Sequence, residues 1–279
     1  MTGLILVGCV VAIATIHSVT KSYEIPRREE IRNIDNINRS LSTSHQRAIN
    51  RSRKSSVRVM SVSPSLGGVS TSSGTYISFR GEYYILTVAH GLIGGCEGTA
   101  VVTPKGTYHC KYIVERNNLI DYSILAVDPI PELKAIPVPQ FLPRGDQWKK
   151  DFSIMTPTYY TGFPNGMGPF TIDGKVVGYN ENDFLYIKSY GWAGCSGAGV
   201  FSESGHLVAY ILALTVGQTE YGYNVAEDIV IGVPLFKVNW LSIIENKKQE
   251  TRKDEEKEQS TESGLPDSSS TDSGVGSTD

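Results

Sequence analysis

The chain has 279 residues, 40% of them hydrophobic, 20% charged and 9% aromatic, and its 26 basic and 29 acidic side chains leave a formal charge of -3. This is the composition of a globular protein, and it excludes collagen, coiled-coil rods and wholly disordered chains. A pI near 6.0 provides no general attraction to phosphate, so nothing in the composition supports nucleic-acid binding.

The first segment, residues 1–20, contains the uncharged run GLILVGCVVAIATI. It is long for a buried strand, short for a full membrane span of about 20 residues, and lacks the polar face of a core helix. Two readings stand: a cleavable secretory signal, with Ala12 and Ala14 as its small residues, or an uncleaved membrane anchor. No Lys or Arg precedes the run, whereas Lys21, Arg27, Arg28 and Arg32 follow it. That asymmetry predicts a retained segment with the rest of the chain on the cytoplasmic side, and a secreted form only if the segment is cut away. Residues 21–56 are polar and basic, with few apolar anchors, and read as a linker, helical in parts. Residues 246–279, a charged block followed by a Ser/Thr/Gly/Asp tract, have the composition of a disordered tail.

Between them, residues 57–245 amount to one domain. VRVMSVS, GTYISFR, YYILTVAH, GTYHCKYIVE, DYSILAV, FTIDGKVVGYN, FLYIKSY, AGVFSE, HLVAYILALT and DIVIGVP are rich in β-branched and aromatic residues and are punctuated by Gly, Pro, Asn and Asp. Many short strands without alternating helices predict an all-β barrel or sandwich. Near the end, FKVNWLSIIENKK spaces Phe236, Trp240 and Ile244 four apart, which predicts one closing helix.

Three positions carry candidate chemistry. His90 ends a strand and precedes Gly91, so its ring can emerge at a barrel mouth. Asp121 begins another strand, where a carboxylate can support a base. Ser196 lies in GWAGCSGAG, where Gly194, Gly197 and Gly199 permit a turn with adjacent N–H groups converging on one point. A hydroxyl nucleophile needs such a base, an orienting carboxylate and oxyanion donors. The four cysteines, Cys9, Cys96, Cys110 and Cys195, are too few for a disulfide scaffold and form no CxxC pair, and the histidines, His109 and His206 among them, show no metal-ligand spacing. No metal, nucleotide or other cofactor is expected.

Together these residues resemble the chymotrypsin/trypsin clan of serine proteases: TVAH ending at His90, DYSIL starting at Asp121, and GCSGA around Ser196, in the order His, Asp, Ser. The resemblance implies an all-β, two-barrel chymotrypsin-like fold with a short C-terminal helix. Ser196 would be the nucleophile that forms an acyl-enzyme, His90 the base and then the acid, and Asp121 its orienting carboxylate, with an oxyanion hole from the N–H groups of Gly194 and Ser196. It also implies a specificity pocket with its floor at Tyr190 and walls at Leu214 and Gly232. With no carboxylate at these positions, small or apolar side chains are expected there rather than Lys or Arg. Cys195 replaces the clan's activation-linked Asp, and as a rival nucleophile it is out of register with the motif. Gly91 replaces the cysteine that follows the base in secreted members, which agrees with a reducing compartment. The expected function is therefore a membrane-associated endopeptidase acting on polypeptides, with a viral polyprotein as a plausible substrate; a catalytically idle, membrane-tethered barrel that binds peptides or scaffolds a complex is the alternative.

Overall fold

A computed structural model describes residues 41–65, 67–138, 147–149, 152–219, 222–243 and 245, the side chains of 213–227 excepted. The expected anchor at residues 1–20 and tail at residues 246–279 lie outside the described residues, as does the linker up to residue 40. Among the described residues no helix is long and apolar enough to cross a membrane.

The first half is an eight-stranded antiparallel sheet, β1 (Ser56–Ser63), β2 (Gly68–Phe79), β3 (Glu82–Thr87), β4 (Thr99–Val102), β5 (Thr107–His109), β6 (Tyr112–Asn117), β7 (Tyr122–Ala126) and β8 (Ile136–Pro137), with β8 adding in parallel to β2. Its order is β5-β4-β1-β2-β3-β7-β6, an open half-barrel. The alternation of β1 shows why it forms: Val57 and Val59 point inward with Ser61 and Ser63, and Ser61 Oγ accepts from Gly94 N at 2.9 Å and from Thr99 Oγ1 at 2.9 Å. Val57, Val59, Tyr76, Ile85, Leu92, Val101 and Leu125 belong to the core of this half.

The second half is a closed barrel of β9 (Pro157–Gly162), β10 (Phe170–Tyr179), β11 (Leu185–Lys188), β12 (Gly199–Ser202), β13 (Leu207–Thr219) and β14 (Gly222–Pro234), in the order β10-β11-β14-β13-β12-β9. Closure leaves no unpaired strand edge. Trp148, Tyr160, Leu185, Ile187, Val200 and Val230 are among the side chains that fill it. The expected all-β, two-part architecture is the observed one.

Four local features differ from expectation. GTYHCKYIVE is two strands, β5 and β6, because the chain changes partner from β4 to β7 between them, at Cys110, which is joined to Cys96 by a disulfide; the expectation of a reducing compartment did not anticipate this bond. β4 and β9 fall outside the expected strands, one being only four residues long and the other bounded by Pro157 and Gly162. Within the stretch read as a linker, α1 (Thr43–Ser55) packs on the second barrel. Ser42 caps its start, Arg53 and Lys54 complement the dipole at its end, and it docks mainly through polar contacts: Ser52 Oγ donates to Thr161 Oγ1 at 2.8 Å and Arg51 Nη1 to the Gly205 carbonyl at 2.8 Å. At the other end, the expected helix begins later than its spacing suggested: Leu235–Lys237 form a 3-10 turn, with Phe236 against Trp148, and the helical residues start at 241. Residues 239–243 and 245 belong to a second unit, in which 241–243 are helical.

The Cys96–Cys110 bond closes a loop with a sequence separation of 14 residues. Replacing both cysteines with serine is expected to cost about 2–3 kcal/mol, read as a lower denaturant midpoint with an m-value that rises slightly as the unfolded chain loses its cross-link.

Candidate active site

His90 and Asp121, the expected base and orienting carboxylate, meet where β3 ends and β7 begins. His90 Nδ1 lies 2.5 Å from Asp121 Oδ2, and the backbone N–H of His90 donates to Asp121 Oδ1 at 2.8 Å. One carboxylate therefore fixes both the ring and the main chain of the histidine, leaving Nε2 as the free ring nitrogen. Asp121 adopts φ +55, a left-handed conformation that Asp tolerates better than most residues. The hydrogen bond from Asp121 raises the pKa of His90, partial burial opposes it, and the carboxylate's charge adds to the rise. Arg116 supports the same turn from β6, donating from Nη2 to the Ala89 carbonyl at 3.1 Å.

The loop carrying Ser196 is held by β2. Ser73 N donates to the Ser196 carbonyl at 2.8 Å, Ser73 Oγ donates to the Gly194 carbonyl at 2.6 Å, and Phe163 N donates to Ser73 Oγ at 2.9 Å. Two glycines make this fit possible. Gly197 has φ +90, and a Cβ there would sit 2.1 Å from the Ser73 carbonyl oxygen; Gly194 has φ +94, and a Cβ would sit 2.5 Å from the Phe163 carbonyl oxygen.

Asn165 N donates to the Ala193 carbonyl at 2.7 Å, which turns that carbonyl outward and the N–H of Gly194 to the opposite side of the peptide. Cys195 N, Gly197 N and Ala198 N donate to Trp192 O, Ile211 O and Cys195 O, whereas among the described residues the N–H groups of Gly194 and Ser196 have no protein acceptor. These are the two donors expected to form the oxyanion hole. No hydrogen bond joins His90 to Ser196; such bonds are often long without substrate and tighten when it binds. Cys195 is buried, and desolvation pushes its thiol up to about 11, so it is not the thiolate a nucleophile requires.

The three residues expected to line a specificity pocket sit in different settings. Tyr190 is 65% exposed and stacks on Trp192 at 5.9 Å, beside Phe170, so it forms a shelf rather than a floor. Gly232 pairs with Leu185 and Ile211 in mid-barrel, and a Cβ there would face the core side chains Ile187 and Leu185. Leu214 pairs with Val230 through its backbone, and its side chain lies outside the described residues. Sequence reasoning also missed Ser73, Arg116 and Asn165. All three work through backbone contacts, and the only hint was a run of small hydroxyl residues just before GTYISFR.

Residues 72–209 match the family described as trypsin-like peptidase domain. They form a trypsin-like peptidase domain. Its fold is also that of solved structures: a serine endoprotease from Yersinia pestis is 23% identical with a TM-score of 0.53, the match covering 70% of this chain and 64% of that one. The HtrA-type protease AlgW, solved with a tripeptide, is 19% identical with a TM-score of 0.51, the match covering 69% and 60%. At these identities the likeness is one of fold, and the chain spans about three fifths of the length of those structures. No curated protein matches the chain at a significant level. Among the described residues of the peptidase domain and its flanks, no group of three or more His, Cys, Asp and Glu is placed to hold a metal ion.

Because the raised pKa of His90 comes first from Asp121, an NMR titration is expected to give a midpoint above the ordinary 6.5, and Asp121→Asn should bring it down. The linked stability has the sign of a raised histidine: fully present below about 6.5 and lost as pH rises through the folded-state value.

Proposed function

We propose that this chain is a serine endopeptidase that cleaves polypeptides through an acyl-enzyme on Ser196. His90 Nε2 takes the hydroxyl proton as Ser196 Oγ attacks the scissile carbonyl, and the oxygen of the tetrahedral intermediate is received by the N–H groups of Gly194 and Ser196. His90 then passes the proton to the departing amine, the C–N bond breaks, and water repeats the sequence to release the acid. Asp121 holds the imidazole tautomer and balances its transient charge. The observation that carries this reading is the doubly bonded His90–Asp121 pair together with two unengaged N–H donors in the glycine loop.

A polypeptide substrate is supported by the tripeptide in the AlgW structure. The exposed Tyr190, Trp192 and Phe170 beside the loop favour apolar partners, with Tyr190 acting as an open contact surface. No observation bears on a viral polyprotein as the substrate, and an idle scaffold would not need the donors of Gly194 and Ser196 kept free.

For location, residues 1–20 support membrane association, and the Cys96–Cys110 bond favours the oxidising side over the cytoplasmic side expected from charge, since cytosolic thiols are kept reduced. Alkylation of the protein as recovered from its own cells separates the two, since reduced Cys96 and Cys110 would take up the reagent.

Fluorophosphonate capture and peptide cleavage are expected from the intact chain, and both should fall by about 10⁴-fold or more in Ser196→Ala and His90→Ala, with the fold retained. Cys195→Ala should keep the activity; if it loses it while Ser196→Ala does not, the nucleophile is misassigned. In a peptide-library profile, apolar residues should precede the cut bond, and a strong preference for Lys or Arg would reject the apolar surface.

A further inference from the structure

Tyr210 lies where the two halves meet and has no part in the chemistry described so far. It sits on β13 with 0% exposure, and its hydroxyl donates to the Ile120 carbonyl at 2.6 Å. Its ring meets that of Tyr122 edge-on, the centroids 6.4 Å apart. Ile120 precedes Asp121 and Tyr122 follows it, so one side chain of the second barrel grips both neighbours of the carboxylate. Asp121 itself occupies the left-handed region, and such a residue persists only where its surroundings over-determine it.

The next residue on the same strand holds the other partner. Gly197 N donates to the Ile211 carbonyl at 2.7 Å, and Ile211 N donates to the Ala198 carbonyl at 2.8 Å. Tyr210 also pairs across the ladder with Gly199, three residues after Ser196. Two successive residues of β13 thus control two turns from different halves of the molecule: the nucleophile loop through main chain and the carboxylate turn through a side chain.

We propose that Tyr210 is a positioning residue, whose hydroxyl fixes the Ile120–Asp121 peptide so that the carboxylate faces His90, and whose place on β13 sets that pair in register with Ser196. The inference rests on the serine-peptidase reading. Burial, then the nearby Asp121 and Tyr122, raises the phenol well above its ordinary range, so it stays a donor wherever a histidine base operates. The other titratable or charged groups facing this region are few. Asp121 is bonded to His90, Arg116 is on the Ala89 carbonyl, and Glu115 accepts from the Tyr122 hydroxyl.

Tyr210→Phe keeps the ring and removes only the donor. Misplacement of the pair should lower kcat roughly 10- to 100-fold while KM stays within about twofold. The His90 titration midpoint should fall, and in an Asp121→Asn background the same change should cost little more, because Tyr210 acts through Asp121. In the wild-type protein the Tyr210 hydroxyl proton should give a slowly exchanging NMR resonance, a readout that holds even if the variant does not fold. Wild-type kcat and His90 titration in Tyr210→Phe with only a lower Tm, or a freely exchanging hydroxyl in the wild type, would overturn the proposal. A wild-type chain that captures no fluorophosphonate would reject the peptidase reading instead, and the His90 titration would still report on positioning.

Discussion

The proposed proton relay draws on two separate β-structures, so it depends on the seam between them, and Ser73 carries much of that seam. Its N–H, its hydroxyl and its carbonyl are all committed: to the Ser196 carbonyl, to Gly194 and Phe163, and to Thr87 Oγ1. The residue is fully buried, so each of these groups would be costly to leave unpaired. Because the Ser73 carbonyl accepts from Thr87 Oγ1 at the end of β3, three residues before His90, the strand that leads to His90 and the loop that carries Ser196 share a fixed reference. Gly197 accepts this closeness only because it has no Cβ to meet the Ser73 carbonyl.

The rest of the site follows from that seam. Once the loop is seated, Asn165 N fixes the Ala193 carbonyl, and the Gly194 N–H across that peptide has no acceptor among the described residues. Donors held in place before the reaction need no rearrangement as charge develops, which is where such sites gain most of their rate. The buried thiol of Cys195 contributes packing: its sulfur lies 3.0 Å from where a Cβ of Gly162 would stand, so the loop lies directly on the β9 backbone. An acidic residue there would be desolvated without a partner, whereas a neutral thiol is at ease.

His90, Asp121 and the setting of Ser196 were legible in the sequence because each sits at the end of a β-patterned run or in a dense set of glycines, local signals that survive without a structure. Most strands were legible for the same reason. α1 was foreseen only as a helical part of a linker; its docking was not legible, because it rests on Ser52, Arg51 and Arg53 rather than on an apolar stripe, and polar docking leaves no periodic mark. Ser73 and Arg116 act on carbonyls, and which carbonyl a side chain reaches is decided by tertiary approach. Tyr190 was placed by counting back from the nucleophile, but its exposure depends on how the loop leaves β11, which spacing does not encode.

The attachment of α1 also has a mechanical meaning. The helix is bonded to the second barrel through Thr161, Thr171 and Gly205, and it runs without a break into β1 of the first sheet. Its 13 residues span about 20 Å as a helix and more than twice that when drawn out. A pull applied at Thr43 is therefore borne in shear by several bonds at once, instead of peeling β1 away one pair at a time. The slack released if those bonds part would be taken up before the pull reached β2, which spares the seam at Ser73.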